Sequence, residues 1–240
     1  MTFETVLWLT SLPAFGNTLG ALVAEGIEIT ERRLSLALHA SAGVLLGVVA
    51  VELIPEALQK APPWLVITSF VAGGMLFILV DHSLENIRTR GGTGESRSGP
   101  WTIYLSVAID LFSDGVMVGV AGVVSAHLGF ILALGQGLAD IPQGLATMAM
   151  FQEGASRARR LILSAMLTLP LYGGAAFGYF VLRGSSHLLQ FAILGLTAGL
   201  LATLAVEEVV PQAHARGESH ESAAAFVLAF AAFIALSSYL

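Results

Sequence analysis

Apolar residues run through this chain in long unbroken stretches, at about 4–26, 34–57, 64–86, 101–124, 127–152, 160–182, 187–210 and 222–240, with polar residues gathered between them. A helix of roughly 20 residues crosses a hydrocarbon layer about 30 Å thick, and each stretch is long enough. None alternates strictly between polar and apolar positions, and all exceed the roughly 9–11 residues of a membrane barrel strand. The pattern predicts an all-α polytopic membrane protein of eight transmembrane helices. At about 20 residues each, the spans leave room only for connecting loops, so residues 1–240 form a single transmembrane domain.

Composition strengthens this picture. Of the 240 residues, 55% are hydrophobic and 12% charged, against roughly 25% charged in soluble domains, which excludes an ordinary soluble enzyme. The absence of cysteine removes disulfides, iron–sulfur clusters and thiolate metal sites. A net charge of -6 with no basic patch excludes a nucleic-acid partner. The first ten residues carry Glu4 and no Lys or Arg, which does not fit a cleaved signal peptide.

The 11 Lys and Arg residues sort by side. Arg32, Arg33, Arg88, Arg90, Arg97, Arg157, Arg159, Arg160 and Arg216 fall in alternate connections, and only Lys60 and Arg183 fall in the others. Positive residues collect on the cytoplasmic side, so both termini are expected outside the cytoplasm in an inner (plasma) membrane. The segment 87–100, IRTRGGTGESRSGP, reads as a flexible cytoplasmic linker.

Glycines four apart recur as Gly16/Gly20, Gly43/Gly47, Gly115/Gly119, Gly174/Gly178 and Gly195/Gly199. Each pair bares one helix face for close backbone approach in lipid. Val51–Ala57 reads VELIPEA and Val206–Ala213 reads VEEVVPQA, and the charge count runs these two segments in opposite directions. That is the signature of an inverted repeat, spans one to three against six to eight with four and five between, a 3+2+3 arrangement typical of transporters.

Polar residues inside the spans carry the chemistry. AIDLFSDG puts Asp110 and Asp114 four apart on one face of span four, and ADIPQG puts Asp140 and Gln143 on one face of span five. A charged residue at the bilayer centre costs roughly 2.5–3.5 kcal/mol on insertion scales and marks an ion or proton path. No Lys or Arg lies at that depth, so a mobile cation or protons must compensate the carboxylates. Pro142 also withholds a backbone N–H and frees a carbonyl near Leu138. Toward the membrane faces, Glu52 and Glu56 form an outer mouth, and Asp81, His82, Glu85, Glu207 and Glu208 an inner one. His214 and His220, in the inner loop, could receive a leaving metal ion.

These residues resemble the ZIP family of zinc and iron transporters over nearly the whole chain. The family's fourth-span His-Asn-Phe-Pro-Glu-Gly is similar to Asp110-Leu111-Phe112-Ser113-Asp114-Gly115, and its fifth-span His-Glu-Ile-Pro-Glu-Gly to Ala139-Asp140-Ile141-Pro142-Gln143-Gly144. The second-span ending matches Pro55-Glu56-Ala57, and the seventh-span ending Glu208-Val209-Val210-Pro211. The resemblance implies eight spans with outer termini and a metal site at the midplane held by Asp110, Asp114, Asp140 and Gln143. It also implies an elevator-like or rocking motion of the bundle carrying spans four and five. Leu111 and Ala139 stand where the family has ligands, and the sixth-span glutamate falls near Leu169 or Pro170, so a second metal position is expected to be lost. Oxygen ligands alone suit Mn²⁺, Mg²⁺ or Ca²⁺ better than zinc, whereas membership would argue for Zn²⁺ or Fe²⁺.

The expectation is a divalent metal carrier whose substrate is the ion, with no prosthetic group. Its partners are metal ions and the lipid bilayer, and a homodimer is compatible with it. Two rivals are a non-transporting metal sensor or scaffold of the same architecture and an intramembrane aspartyl protease using Asp114 and Asp140. The protease lacks the Gly-x-Gly-Asp setting such enzymes use. Orientation is checked directly: cysteine introduced at Ser98 should react with an impermeant thiol reagent only from the cytoplasmic side, and at Ser185 only from outside. The reverse sidedness would overturn the inverted repeat as well.

Overall fold

A computed structural model describes residues 1–26, 30–90, 100–150, 156–216 and 220–239. Of the linker expected at 87–100, positions 91–99 lie outside the described residues, Ser98 among them. Eight long helices make up the described chain: α1 (Phe3–Gly26), α2 (Glu31–Lys60), α3 (Pro63–Arg90), α4 (Pro100–Val124), α5 (Ala126–Met150), α6 (Arg157–Leu182), α7 (His187–His214) and α8 (His220–Tyr239). Seven of them are long and apolar enough to cross a membrane. The other, α5, has 25 residues and is diluted by Gln136, Asp140 and Gln143.

Three helices carry local irregularities with identifiable causes. In α2 the turn widens to a π-helix over Val48–Leu53, and in α7 over Ala205–Val209. Each widened turn is followed by a proline, Pro55 or Pro211, whose missing N–H would break a regular ladder. The bonds Ile54 N–H to Val49 O and Val210 N–H to Ala205 O close both segments. The two stretches singled out for their likeness therefore share one backbone device. In α6 the helix is interrupted at Leu167, three residues before Pro170, and the Leu167 N–H is shared between the Leu163 and Ser164 carbonyls.

The helices assort into two sets of four. In one, α1 packs on α5, α4 on α6, α4 on α5 and α1 on α6; in the other, α3 packs on α7, α2 on α8, and α2 on the end of α7. Exchanging α1 with α6, α2 with α7, α3 with α8 and α4 with α5 turns this pattern of pairings into itself. The main seam between the sets is α2 against α5, where the Ser41 hydroxyl donates to the Ala139 carbonyl at 3.0 Å. Val44, Val48, Ile131, Leu132 and Ala139 share its apolar core.

Glycine sets the closeness of the main pairings. A Cβ added at Gly16 would lie 1.9 Å from the Gly137 carbonyl oxygen, at Gly115 1.9 Å from that of Leu171, at Gly174 1.9 Å from that of Phe112 and at Gly199 2.0 Å from that of Phe70. Backbones meet directly at these points, which only a residue without a side chain permits.

Ion pairs tie the ends opposite the chain termini. The Arg160 guanidinium of α6 forms a two-pronged pair with Glu25 of α1 at 2.5 and 2.7 Å. Arg216 of α7 meets Glu31 of α2 at 2.8 Å, and Arg32 of α2 pairs with Glu221 of α8. Each of these three ties joins helices of the same set.

Gly174→Ala should therefore destabilise the protein by about 1–3 kcal/mol, the usual cost of overpacking, and lower the melting temperature in detergent. At the adjacent Gly173 an added Cβ meets nothing within 4 Å. Gly173→Ala should leave the melting temperature unchanged or raise it.

Candidate functional site

Where α4 faces α5, the side chains predicted from spacing come together. Asp110 and Asp114 lie one turn apart on α4; Gln136, Asp140 and Gln143 follow one face of α5 at intervals of four and three. The Gln136 amide donates to Asp114 Oδ1 at 2.8 Å, and the Gln143 amide donates to Asp110 Oδ2. Asp114 and Asp140 are 3% and 4% exposed, and Asp110 is half-buried. Asp114 lies within electrostatic reach of Asp110, Asp140 and Glu208, so a residue of α7 also acts on the cluster. Buried carboxylates of one sign cannot share this space without donors or cations.

The arrangement is one of carboxylates held by amides. Among the described residues no three His, Asp or Glu side chains are gathered closely enough to hold a metal ion. Each glutamine amide occupies carboxylate lone pairs that an ion would need. Rotating an amide brings its oxygen forward in place of its NH₂, so the same residues can compensate the carboxylates in one rotamer and add oxygen ligands in the other.

Four polar atoms nearby are buried with no hydrogen-bond partner among the described residues: Asp140 Oδ2, Gln136 Oε1, and the Nδ2 and Oδ1 of Asn17 on α1. Spacing had not singled out Asn17 or Gln136. Gln136 precedes Asp140 by four residues, so the i,i+4 rule that found the aspartates could have found it. Asn17 has no carboxylate or amide three or four residues away in α1 and gives no such signal.

Two positions where the resemblance expects further ligands, Leu111 and Ala139, are packed with apolar side chains, and a third, Leu169, is not. Leu111 is fully buried against Ala14, Leu167 and Leu171, and Ala139 is buried on the α2 seam. Leu169 is 65% exposed.

The residues read as mouths are distributed unevenly. Glu52, in the widened turn of α2, accepts from the Ser237 hydroxyl of α8 and lies 3.6 Å from His127 Nε2 at the start of α5. Glu56 is engaged by Lys60 at 2.5 Å. Glu207 is exposed, and Glu208 accepts from the Gln212 amide at 3.2 Å. His82 is exposed on α3, whose main packing partner is α7. The side chains of Asp81 and Glu85 lie outside the described residues. His214 and His220 line a cavity of about 700 Å³ between α2, α7 and α8, which His39 also lines. His39 is 5% exposed, and its ring sits 5.0 Å edge-on from that of His214. Its Nδ1–H donates to the Ser35 carbonyl at 2.8 Å, which leaves Nε2 as the lone-pair nitrogen. As a residue well inside an apolar span, His39 had not been connected with the loop histidines.

No family model matches the chain. Among curated proteins it is 30% identical over 246 residues to the zinc transporter ZupT of Chlorobium luteolum, with 91% of each chain covered. It is 29% identical over 251 residues to that of Chlorobium limicola, covering 94% of each, and 25% identical over 238 residues to that of Streptococcus mutans serotype c, covering 90% of each.

Gln136→Leu would leave buried Asp114 Oδ1 without its amide donor. It should lower stability without added metal by about 1–3 kcal/mol, read as a fall in melting temperature. Added Mn²⁺ or Zn²⁺ should restore part of that loss, because a cation replaces the missing donor.

Proposed function

The chain belongs with the ZupT zinc transporters of the ZIP family, and on that premise we propose that it carries divalent metal ions across the membrane through a site between α4 and α5. The observation that carries this reading is the convergence of Asp110, Asp114 and Asp140, with Gln136 and Gln143, inside one four-helix set. A protein with no use for a cation would gain stability from apolar residues there. The intramembrane protease and the non-transporting sensor draw no support from relatives that are zinc transporters.

In this reading the ion enters past Glu52 and Glu56, and the Gln143 and Gln136 amides turn their oxygens toward it as the carboxylates take hold. The set α1, α4, α5 and α6 then moves against α2, α3, α7 and α8 in an elevator-like or rocking step. Two features support that motion. The inner-end ion pairs named above fall within the sets, and apolar side chains dominate the α2–α5 seam. The ion leaves past Glu208 toward His39, His214 and His220.

We further propose eight transmembrane spans in a 3+2+3 inverted repeat with both termini outside the cytoplasm. The self-exchanging helix pairings and the shared π-turns before Pro55 and Pro211 support it.

Metal flux into proteoliposomes tests the proposal. Asp110→Ala, Asp114→Ala and Asp140→Ala should each abolish flux while the protein still inserts, because water does not readily replace a ligand at that depth. Glu56→Ala should only slow flux, since Glu56 lies near a solvated surface. Gln143→Glu should raise metal affinity and slow release. Normal flux in all three Asp variants would refute the site.

A further inference from the structure

Asn17 sits in the middle of α1, 1% exposed, with neither its amide nitrogen nor its side-chain carbonyl oxygen bonded to anything among the described residues. Burying an unpartnered amide is unfavourable, and an apolar side chain of similar size would avoid the cost. A polar group kept in such a position calls for an occasional partner.

Packing fixes which face of α1 carries Asn17. Across the α1–α5 interface, Cβ atoms added at Gly16, Gly20 and Gly144 would strike the carbonyl oxygens of Gly137, Ile141 and Asn17, at 1.9, 2.0 and 2.0 Å. Asp140 comes three residues after Gly137 and four before Gly144, so it lies on the edge of α5 that meets α1, level with Asn17. Asn17 in turn comes three residues after Ala14, which packs on Leu111 of α4 and on Leu167 and Leu171 of α6. Helical spacing thereby places Asn17 on the part of α1 between its α5-facing glycines and Ala14, toward α5 and α4. Leu111 stands three residues before Asp114, which brings Asp114 to the same space from the α4 side. Asp140 Oδ2 and Gln136 Oε1, both buried and unpartnered, complete the group.

We propose that Asn17 Oδ1 is a direct ligand of the transported divalent cation, joining Asp114 and Asp140 in an oxygen set drawn from three helices. The proposal rests on the reading of Asp114 and Asp140 as the cation site. Leu111, Leu167 and Leu171 close the α6 side with apolar surface, and Asn17 brings an uncharged, unpartnered oxygen to the cluster from α1. A neutral amide oxygen adds coordination for a hard divalent ion without adding another negative charge to a buried acidic cluster.

Calorimetric titration of the full-length purified protein with Mn²⁺, alongside melting temperatures measured without metal, tests this. Asn17→Leu should weaken Mn²⁺ binding at least tenfold while leaving the metal-free melting temperature unchanged or higher, because it removes an unsatisfied amide. Asn17→Asp should tighten Mn²⁺ binding at least tenfold. Mn²⁺ affinity within twofold of the unmodified protein in Asn17→Leu would overturn the assignment. So would a lowered metal-free melting temperature in Asn17→Leu combined with unchanged affinity in Asn17→Asp, the mark of a packing role. If Asn17→Leu does not fold, Asn17→Asp decides alone, and unchanged affinity there overturns it. Asp114→Asn separates the two levels. Loss of Mn²⁺ binding in Asp114→Asn but not in Asn17→Leu removes only Asn17, whereas unchanged binding in Asp114→Asn removes the cation site itself.

Discussion

A carboxylate in the middle of a membrane bundle must be given donors or a cation, and α4 and α5 meet that requirement by facing each other. The Gln136 and Gln143 amides reach Asp114 and Asp110 only because the two helices lie side by side at matching depth. Their position depends in turn on outer neighbours pressed to backbone contact. Gly16, Gly20, Gly137 and Gly144 let α1 close on α5, and Gly115, Gly119, Gly174 and Gly178 let α4 close on α6. Glycine in a helix is normally a weakness. Here it lets α1 and α6 press directly against the backbones of the two helices that carry the charge.

The same economy separates the molecule into two bodies. Backbone-to-backbone contacts and the ion pairs at the ends opposite the chain termini bind helices within each set, where relative motion would cost most. The seam between the sets is built mainly from valine, leucine, isoleucine and alanine, and apolar surfaces exchange neighbours at small cost. Polar contacts that cross it include the bond from Ser41 to the Ala139 carbonyl and the approach of His127 to Glu52 near the α5 start. The proposed motion of the set that carries Asp110, Asp114 and Asp140 against the other set needs this distribution of strong and weak contacts.

What the sequence disclosed follows from what each signal encodes. Run length and the cost of buried charge made the helices and the residues Asp110, Asp114, Asp140 and Gln143 legible, because both act within one helix. The glycine pairs marked faces of close approach and left their partners unnamed. Nothing in Gly115 or Gly174 says that α4 meets α6, since that depends on how all eight helices share space. Asn17 and His39 stayed hidden for a related reason. Each has only Ser and Thr as near polar neighbours in its run, and its meaning lies in residues more than a hundred positions away, Asp140 for one and His214 for the other. The likeness of VELIPEA to VEEVVPQA was legible, but the π-turn that both adopt required the backbone, because proline demands an adjustment without specifying which.

The distribution of ligand types along the chain bears on which ion is handled and where. At the α4–α5 centre every available donor is oxygen, from aspartate or amide, and such sites discriminate weakly in favour of zinc over harder ions. The imidazoles stand elsewhere, with His39, His214 and His220 around one cavity between α2, α7 and α8. An ion with strong affinity for nitrogen would leave an oxygen site readily for that cavity, whereas Mg²⁺ or Ca²⁺ would gain little by the transfer. A weak central site followed by imidazoles can therefore favour zinc through the direction of release, even where the first binding event does not. The loss of histidine from the centre is then compatible with the zinc transport of the relatives, provided that selectivity is divided between the two locations.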